Sequence, residues 1–143
     1  MTESRLLALL RLNAVPLFSP DAVRRLLGVL PAEEALAEPA TRLAGLMGLR
    51  LEAAQRFRRT ALAFDAEAEL RQVQALGARL LPFDEPDYPD ALRPLADAPL
   101  LLYAWGEPVD PPAAAAVVGS RAPLPYGRRT ARRLSAELAE AGV

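Results

Sequence analysis

Residues 114–143 begin Ala114-Ala115-Ala116-Val117-Val118, pass through Gly119-Ser120-Arg121 and Ala122-Pro123-Leu124-Pro125-Tyr126-Gly127, and continue as an arginine-bearing run, Arg128 to Val143. The apolar run Ala114–Val118 predicts a strand, Gly119, Ser120 and Arg121 a turn, and the following residues a helix that closes on Glu140-Ala141-Gly142. A strand, a glycine turn and a helix in that order make a phosphate cradle. Glycine lets the backbone approach a ligand, and the opening helix offers unpaired amides and a partial positive charge to an anion. Arg121 adds a planar, permanently charged fork suited to two phosphate oxygens.

Length and composition bound the rest. The chain has 143 residues, 52% of them hydrophobic, which suits one ordinary domain or two very small ones. The formal net charge of -1 excludes a surface coated in positive potential, so any nucleic-acid contact has to come from a local patch. All seventeen basic residues are arginine. With alanine, proline and leucine also abundant, that bias reads as a GC-rich coding preference more than as selection for guanidinium. Without cysteine or histidine there is no disulfide framework and no expected zinc site, and no cofactor is implied. The arginines that interrupt the leucines of Met1–Asn13 set it apart from a cleavable leader, and no apolar run is long enough to span a bilayer; the expected location is cytoplasmic, away from the membrane.

The first half of the chain has helical periodicity. Leu6, Leu7, Leu9, Leu10 and Leu12 predict a helix from about Glu3 to Asn13, broken at Ala14-Val15-Pro16. Ser19-Pro20-Asp21 starts a second helix that runs to about Leu27 and stops at Gly28. Pro31 with Glu33 and Glu34 starts a third, and Glu38-Pro39 a fourth that ends near Gly45 or Gly48. One long helix is then expected from about Leu51 to Leu76, carrying the chain away from the small bundle, with Leu62, Phe64, Leu70, Val73 and Leu76 buried and Gly77 as its stop.

After Gly77 the period changes. Ala78–Phe83 predicts a strand, Tyr88-Pro89-Asp90-Ala91-Leu92 a turn into a short helix, and Leu100–Trp105 a second strand. Glu107–Pro112 reads as a stiff proline loop. Phe83, Tyr103 and Trp105 are assigned to packing. Asp84, Glu85 and Asp87 are close in sequence but read as solvated loop acids, and Ser120 has no recognisable base, so catalysis finds little support.

Three motifs in order, Tyr88-Pro89-x-x-Leu92, Pro99-x-x-Leu102-Tyr103-x-x-Gly106 and Val117-Val118-Gly119-Ser120-Arg121 with Pro125-Tyr126-Gly127, resemble those of the DNA-processing protein family DprA, also called Smf. The resemblance implies an α/β fold class: a small N-terminal helical module, SAM-like or helix-hairpin-helix-like, followed by the beginning of a Rossmann-like α/β domain. The division expected is residues 1–65 for the helical module, 66–77 for a connecting helix and 78–143 for the N-terminal part of the DNA-binding domain. The resembled domain continues with a Ser-Gly-x-Ala-x-Gly-x-Asp segment that does not occur before Val143, so the chain is expected to be truncated. On that basis residues 1–65 are expected to fold independently and residues 78–143 to stay loosely structured.

In function, the resemblance implies a non-enzymatic protein that binds incoming single-stranded DNA in natural transformation and hands it to the recombinase RecA. It would act as a homodimer through segments this chain lacks. Gly119, Ser120 and Arg121 map onto the family's phosphate-binding residues. Tyr126, Gly127 and Arg128 are further candidates, with Tyr126 more suited to bracing the loop than to stacking on a base. Arg128, Arg129, Arg132 and Arg133 fall on neighbouring helix faces and are expected to be mostly solvated, with Glu137 and Glu140 near enough to offset them. Two other readings stand beside this one: a Rossmann-like nucleotide hydrolase of the lysine-decarboxylase-like type, and a helical module for a protein partner.

Overall fold

A computed structural model of the chain describes residues 2–15, 19–106 and 113–143. Pro16 of the expected break Ala14-Val15-Pro16, and the loop at Glu107–Pro112, lie outside the described residues. Packing divides the chain into two compact units, Met1–Pro108 and Val109–Val143.

In the first unit, α1 (Glu3–Asn13) starts at Thr2, whose hydroxyl accepts the Arg5 N–H at 3.3 Å, with Glu3 in the first turn and Arg11 in the last, as the helix dipole favours. Its leucines are used on more than one face. Leu9 and Leu12 enter one apolar cluster, and Leu10 enters a second with Leu6 and Leu7 packed against it, so α1 is shared between two cores. α2 (Pro20–Leu27) opens with proline in the first turn and closes at Gly28. The short α3 (Ala32–Ala35) precedes α4 (Ala40–Met47), which ends at Gly48 with φ 66°, a conformation that favours glycine. The Leu49 N–H bonds back to the Ala44 carbonyl at 2.9 Å and completes that cap. Arginines finish two of these C-termini: Arg25 donates to the Met47 carbonyl at 3.2 Å and Arg58 to the Leu36 carbonyl at 3.1 Å.

The expected single helix from Leu51 to Leu76 is two. α5 (Leu51–Ala63) ends where Phe64 turns to extended backbone, and α6 (Ala66–Ala75) starts anew at Asp65, whose carboxylate accepts the Ala68 N–H at 2.8 Å. Asp65 followed by Glu67 and Glu69 is a helix start that the continuous apolar spacing concealed. The break folds α6 back onto α1, and the chain does not leave the bundle: Ala66, Leu70 and Val73 join Leu10 in the second cluster. Leu62 and Leu76, expected in the core, are exposed, while Ala54, Phe57 and Ala61 form the buried face of α5.

β1 (Arg79–Pro82) and β2 (Leu101–Ala104) pair antiparallel, Arg79 opposite Ala104 and Pro82 opposite Leu101. Leu80 and Leu101 close the second cluster, and Leu100 reaches the first. Between the strands the chain makes turns, with no helix at Tyr88–Leu92. Those turns are tied by side chains instead. The buried Tyr88 hydroxyl donates to the Pro99 carbonyl at 2.8 Å, and Arg93 donates to the carbonyls of Phe83, Glu85 and Tyr88 at 2.6, 2.7 and 3.1 Å. Arg24 reaches over from α2 to the Ala98 carbonyl at 2.8 Å and lies 4.9 Å above the Phe83 ring. Two of the three loop acids are engaged too: Arg5 pairs with Asp84, and with Glu85 at 2.8 Å, so these two are not simply solvated. Trp105 is 88% exposed and Tyr103 about half, against the expectation that both would pack.

In the second unit, α7 (Pro125–Glu140) forms as expected, but Ala114–Val118 joins no ladder among the described residues. A strand exists by hydrogen bonding to a neighbour, and the ladder present is β1 with β2. An apolar run specifies burial and extension but not the partner that makes it a strand. The architecture is therefore mostly helical with a two-stranded antiparallel sheet, consistent with a helical module followed by a short α/β part.

Candidate nucleic-acid interface

The second unit holds a cleft of about 550 Å³ where the Gly119 turn meets the start of α7. Gly119 and Ser120 line it from the turn; Tyr126, Gly127 and Arg128 line it from the first turn of the helix. Five of the six sequence-derived candidates thus face one space. Arg121, next in the chain, is exposed and does not line it. Apolar wall is supplied by Val117, Val118, Pro123 and Leu124, and Ala131 and Arg132 extend the lining one turn further along α7. The sequence pattern places Arg132 on a solvated face, and the structure instead puts it in the cleft lining. The signal for it was its position four residues after Arg128, which puts both on one side of the helix.

Local chemistry explains the donors. α7 begins with Leu124 as its cap residue, without a side-chain cap, and proline follows in the first turn. The first helical bond runs from the Arg128 N–H to the Leu124 carbonyl at 3.1 Å. The Tyr126 and Gly127 amides precede it and belong to the first turn, which has no intrahelical acceptors. The Ser120 hydroxyl oxygen accepts the Ala122 N–H at 3.3 Å, which sets the turn and leaves the hydroxyl proton available as a donor. At Gly119 an added Cβ would meet nothing within 4 Å, so the fold itself does not require glycine there.

The charges on α7 run against its own dipole. It has no acid in its first turn and no base in its last; Arg128 and Arg129 sit near the positive end, and Glu137 and Glu140 near the negative end. α1 and α2 have the opposite, favourable arrangement. Part of the repulsion is offset where Arg133 pairs with Glu137 at 3.6 Å, as the spacing foretold. Among the described residues neither Arg128 nor Arg132 takes part in an ion pair. Residues 113–143 carry five arginines against two glutamates, whereas residues 1–112 carry twelve arginines against sixteen acids. This segment is thus a locally positive part of a chain whose net charge is -1.

Glycine, an uncapped helix start and two arginines outside any ion pair among the described residues thus border one cleft, an arrangement whose chemistry suits an anion. Residues 79–143 match the family model described as DNA recombination-mediator protein A, which supports the resemblance to the DprA family over this part of the chain. The match starts at the first residue of β1 and takes in both strands, the tied loop, the cleft and α7. It supports a role in DNA processing and recombination, described by mediation and not by a reaction. Neither the curated proteins nor the solved structures gave a match.

Proposed function

We propose that the protein binds incoming single-stranded DNA during natural transformation and promotes its transfer to RecA, holding phosphates with Gly119, Ser120 and Arg121 and with the amides and arginine that open α7. The observation that carries this reading is the inverted charge of α7, which costs helix stability in the free protein and is offset once a polyanion lies at its N-terminus. Affinity from phosphates carries no base information, so sequence preference is small. The role is binding and delivery, without a reaction, and no cofactor enters.

The remaining parts of the reading rest on the family resemblance. Residues 1–65 are the helical module, 66–77 its connection and 78–143 the N-terminal part of a Rossmann-like DNA-binding domain; the protein works as a homodimer in the cytoplasm. Among the described residues no helix is long and apolar enough to cross a membrane.

Fluorescent single-stranded oligonucleotides titrated into the intact protein, beside assays for nucleoside monophosphate turnover, test the proposal. Saturable binding of mixed-sequence strands without turnover is expected. Turnover of nucleotides with no strand binding would assign the cleft to an enzyme.

A further inference from the structure

Four arginines on α7 look equivalent in sequence, but the structure sorts them. Arg128 and Arg132 line the cleft, whereas Arg129 and Arg133 do not, and Arg133 is engaged with Glu137. Residues four apart on a helix have their Cβ atoms roughly 5–6 Å apart, one above the other. That separation is similar to the spacing of successive phosphates along an extended single strand. Val118, Leu124 and Ala131 add apolar side chains to the lining of the same cleft, about 550 Å³ in volume.

Resting on the proposal that the cleft takes single-stranded nucleic acid, we infer that Arg128 and Arg132 are consecutive rungs of a phosphate ladder. The strand runs along α7 from the Gly119 turn, with one phosphate at the turn and Arg128 and the next at Arg132. Arg132 is thereby a binding residue, and the site is built for a polymer and not for a mononucleotide. Two cations held in register by one helix are positioned before the strand arrives, which limits the ordering cost of binding.

The test compares Arg132→Gln and Arg132→Lys with wild type in the intact protein, using a dT oligonucleotide over a range of salt and thymidine monophosphate as a one-phosphate probe. Arg133→Gln serves as the outer-face control. Arg132→Gln should reduce the slope of log affinity against log salt by about 0.7, the value for one contact to a single strand, and Arg132→Lys should restore it. Affinity for thymidine monophosphate and the slope for Arg133→Gln should both stay at wild type. An unchanged slope in Arg132→Gln, with wild-type strand binding intact, overturns the ladder and leaves the proposed function standing. So does a lowered affinity at unchanged slope, which marks a structural role. Absence of strand binding by the wild-type protein overturns both.

Discussion

Gly119 separates a folding requirement from a ligand requirement. Its backbone is not in the left-handed region and a Cβ there would touch nothing, so Gly119→Ala is expected to leave thermal stability within about 0.5 kcal/mol of wild type, the usual range for a surface change. Close approach of a phosphate to the turn is what the methyl would obstruct, and strand binding should weaken several-fold. Equal binding by the alanine variant would take the Gly119 amide out of the contact. Arg121 does not line the cleft, so on the proposed reading it would grip the same phosphate from the periphery. Arg121→Ala should weaken poly-dT and mixed-sequence strands by the same factor and flatten the salt slope by about 0.7, readable by anisotropy at several salt concentrations. A loss confined to one sequence would mean that the residue reads bases. At this scale the sequence marked Gly119, Ser120, Tyr126, Gly127 and Arg128 as neighbours, and the structure lines one cleft with them. The sequence did not mark Arg132 as a lining residue, because charge spacing names a helix face without saying which face borders a cavity.

At the scale of elements, the helices up to Met47 were legible because each carries its own stop and start: Thr2, Ser19-Pro20, Pro31, Pro39 and Gly48 act through local backbone chemistry. The break at Phe64-Asp65 was hidden because a cap residue in a continuing apolar pattern looks like an exposed helical aspartate until packing shows otherwise. The Ala114–Val118 strand failed for the converse reason, since pairing is a non-local property. On β2 the pKa of Tyr103 is pushed up to about 12, first by partial burial and then by a hydrogen bond to Glu69 and that carboxylate's charge. A raised phenol pKa favours the neutral form in the folded state. Its contribution is complete below the ordinary value of 10.0 and is lost as pH climbs through about 12. Burial moves Tyr88 in the same direction. Urea denaturation at pH 8 and pH 11 should therefore show an alkaline loss of stability that is smaller in Tyr103→Phe; an identical loss in that variant would assign it to other groups.

Across the whole molecule, the first compact unit extends well past the helical half. Leu100 belongs to the cluster that holds Leu9, Leu26 and Phe57, and Leu10 depends on Ala66, Leu70, Val73, Leu80 and Leu101. Residues 1–106 are thus expected to unfold cooperatively as an isolated fragment. Residues 1–65, expected from sequence to fold independently, lose the partners of Leu10 and should be markedly less stable, each large apolar side chain left in water forfeiting about 1.5–3 kcal/mol. Circular dichroism melts of the two fragments decide the matter, equal melting temperatures counting against the longer unit. The second unit contributes little burial, and its described residues 113–143 carry a net positive charge, five arginines against two glutamates, where residues 1–112 are net negative. The most direct measurement is backbone amide NMR of the ¹⁵N-labelled protein during titration with a dT oligonucleotide. Shifts should concentrate at Gly119, Ser120, Tyr126, Gly127, Arg128 and Arg132 and fade as salt is raised. Shifts confined to residues 2–106, or a pattern at the cleft that salt leaves unchanged, would contradict phosphate capture at the Gly119 turn.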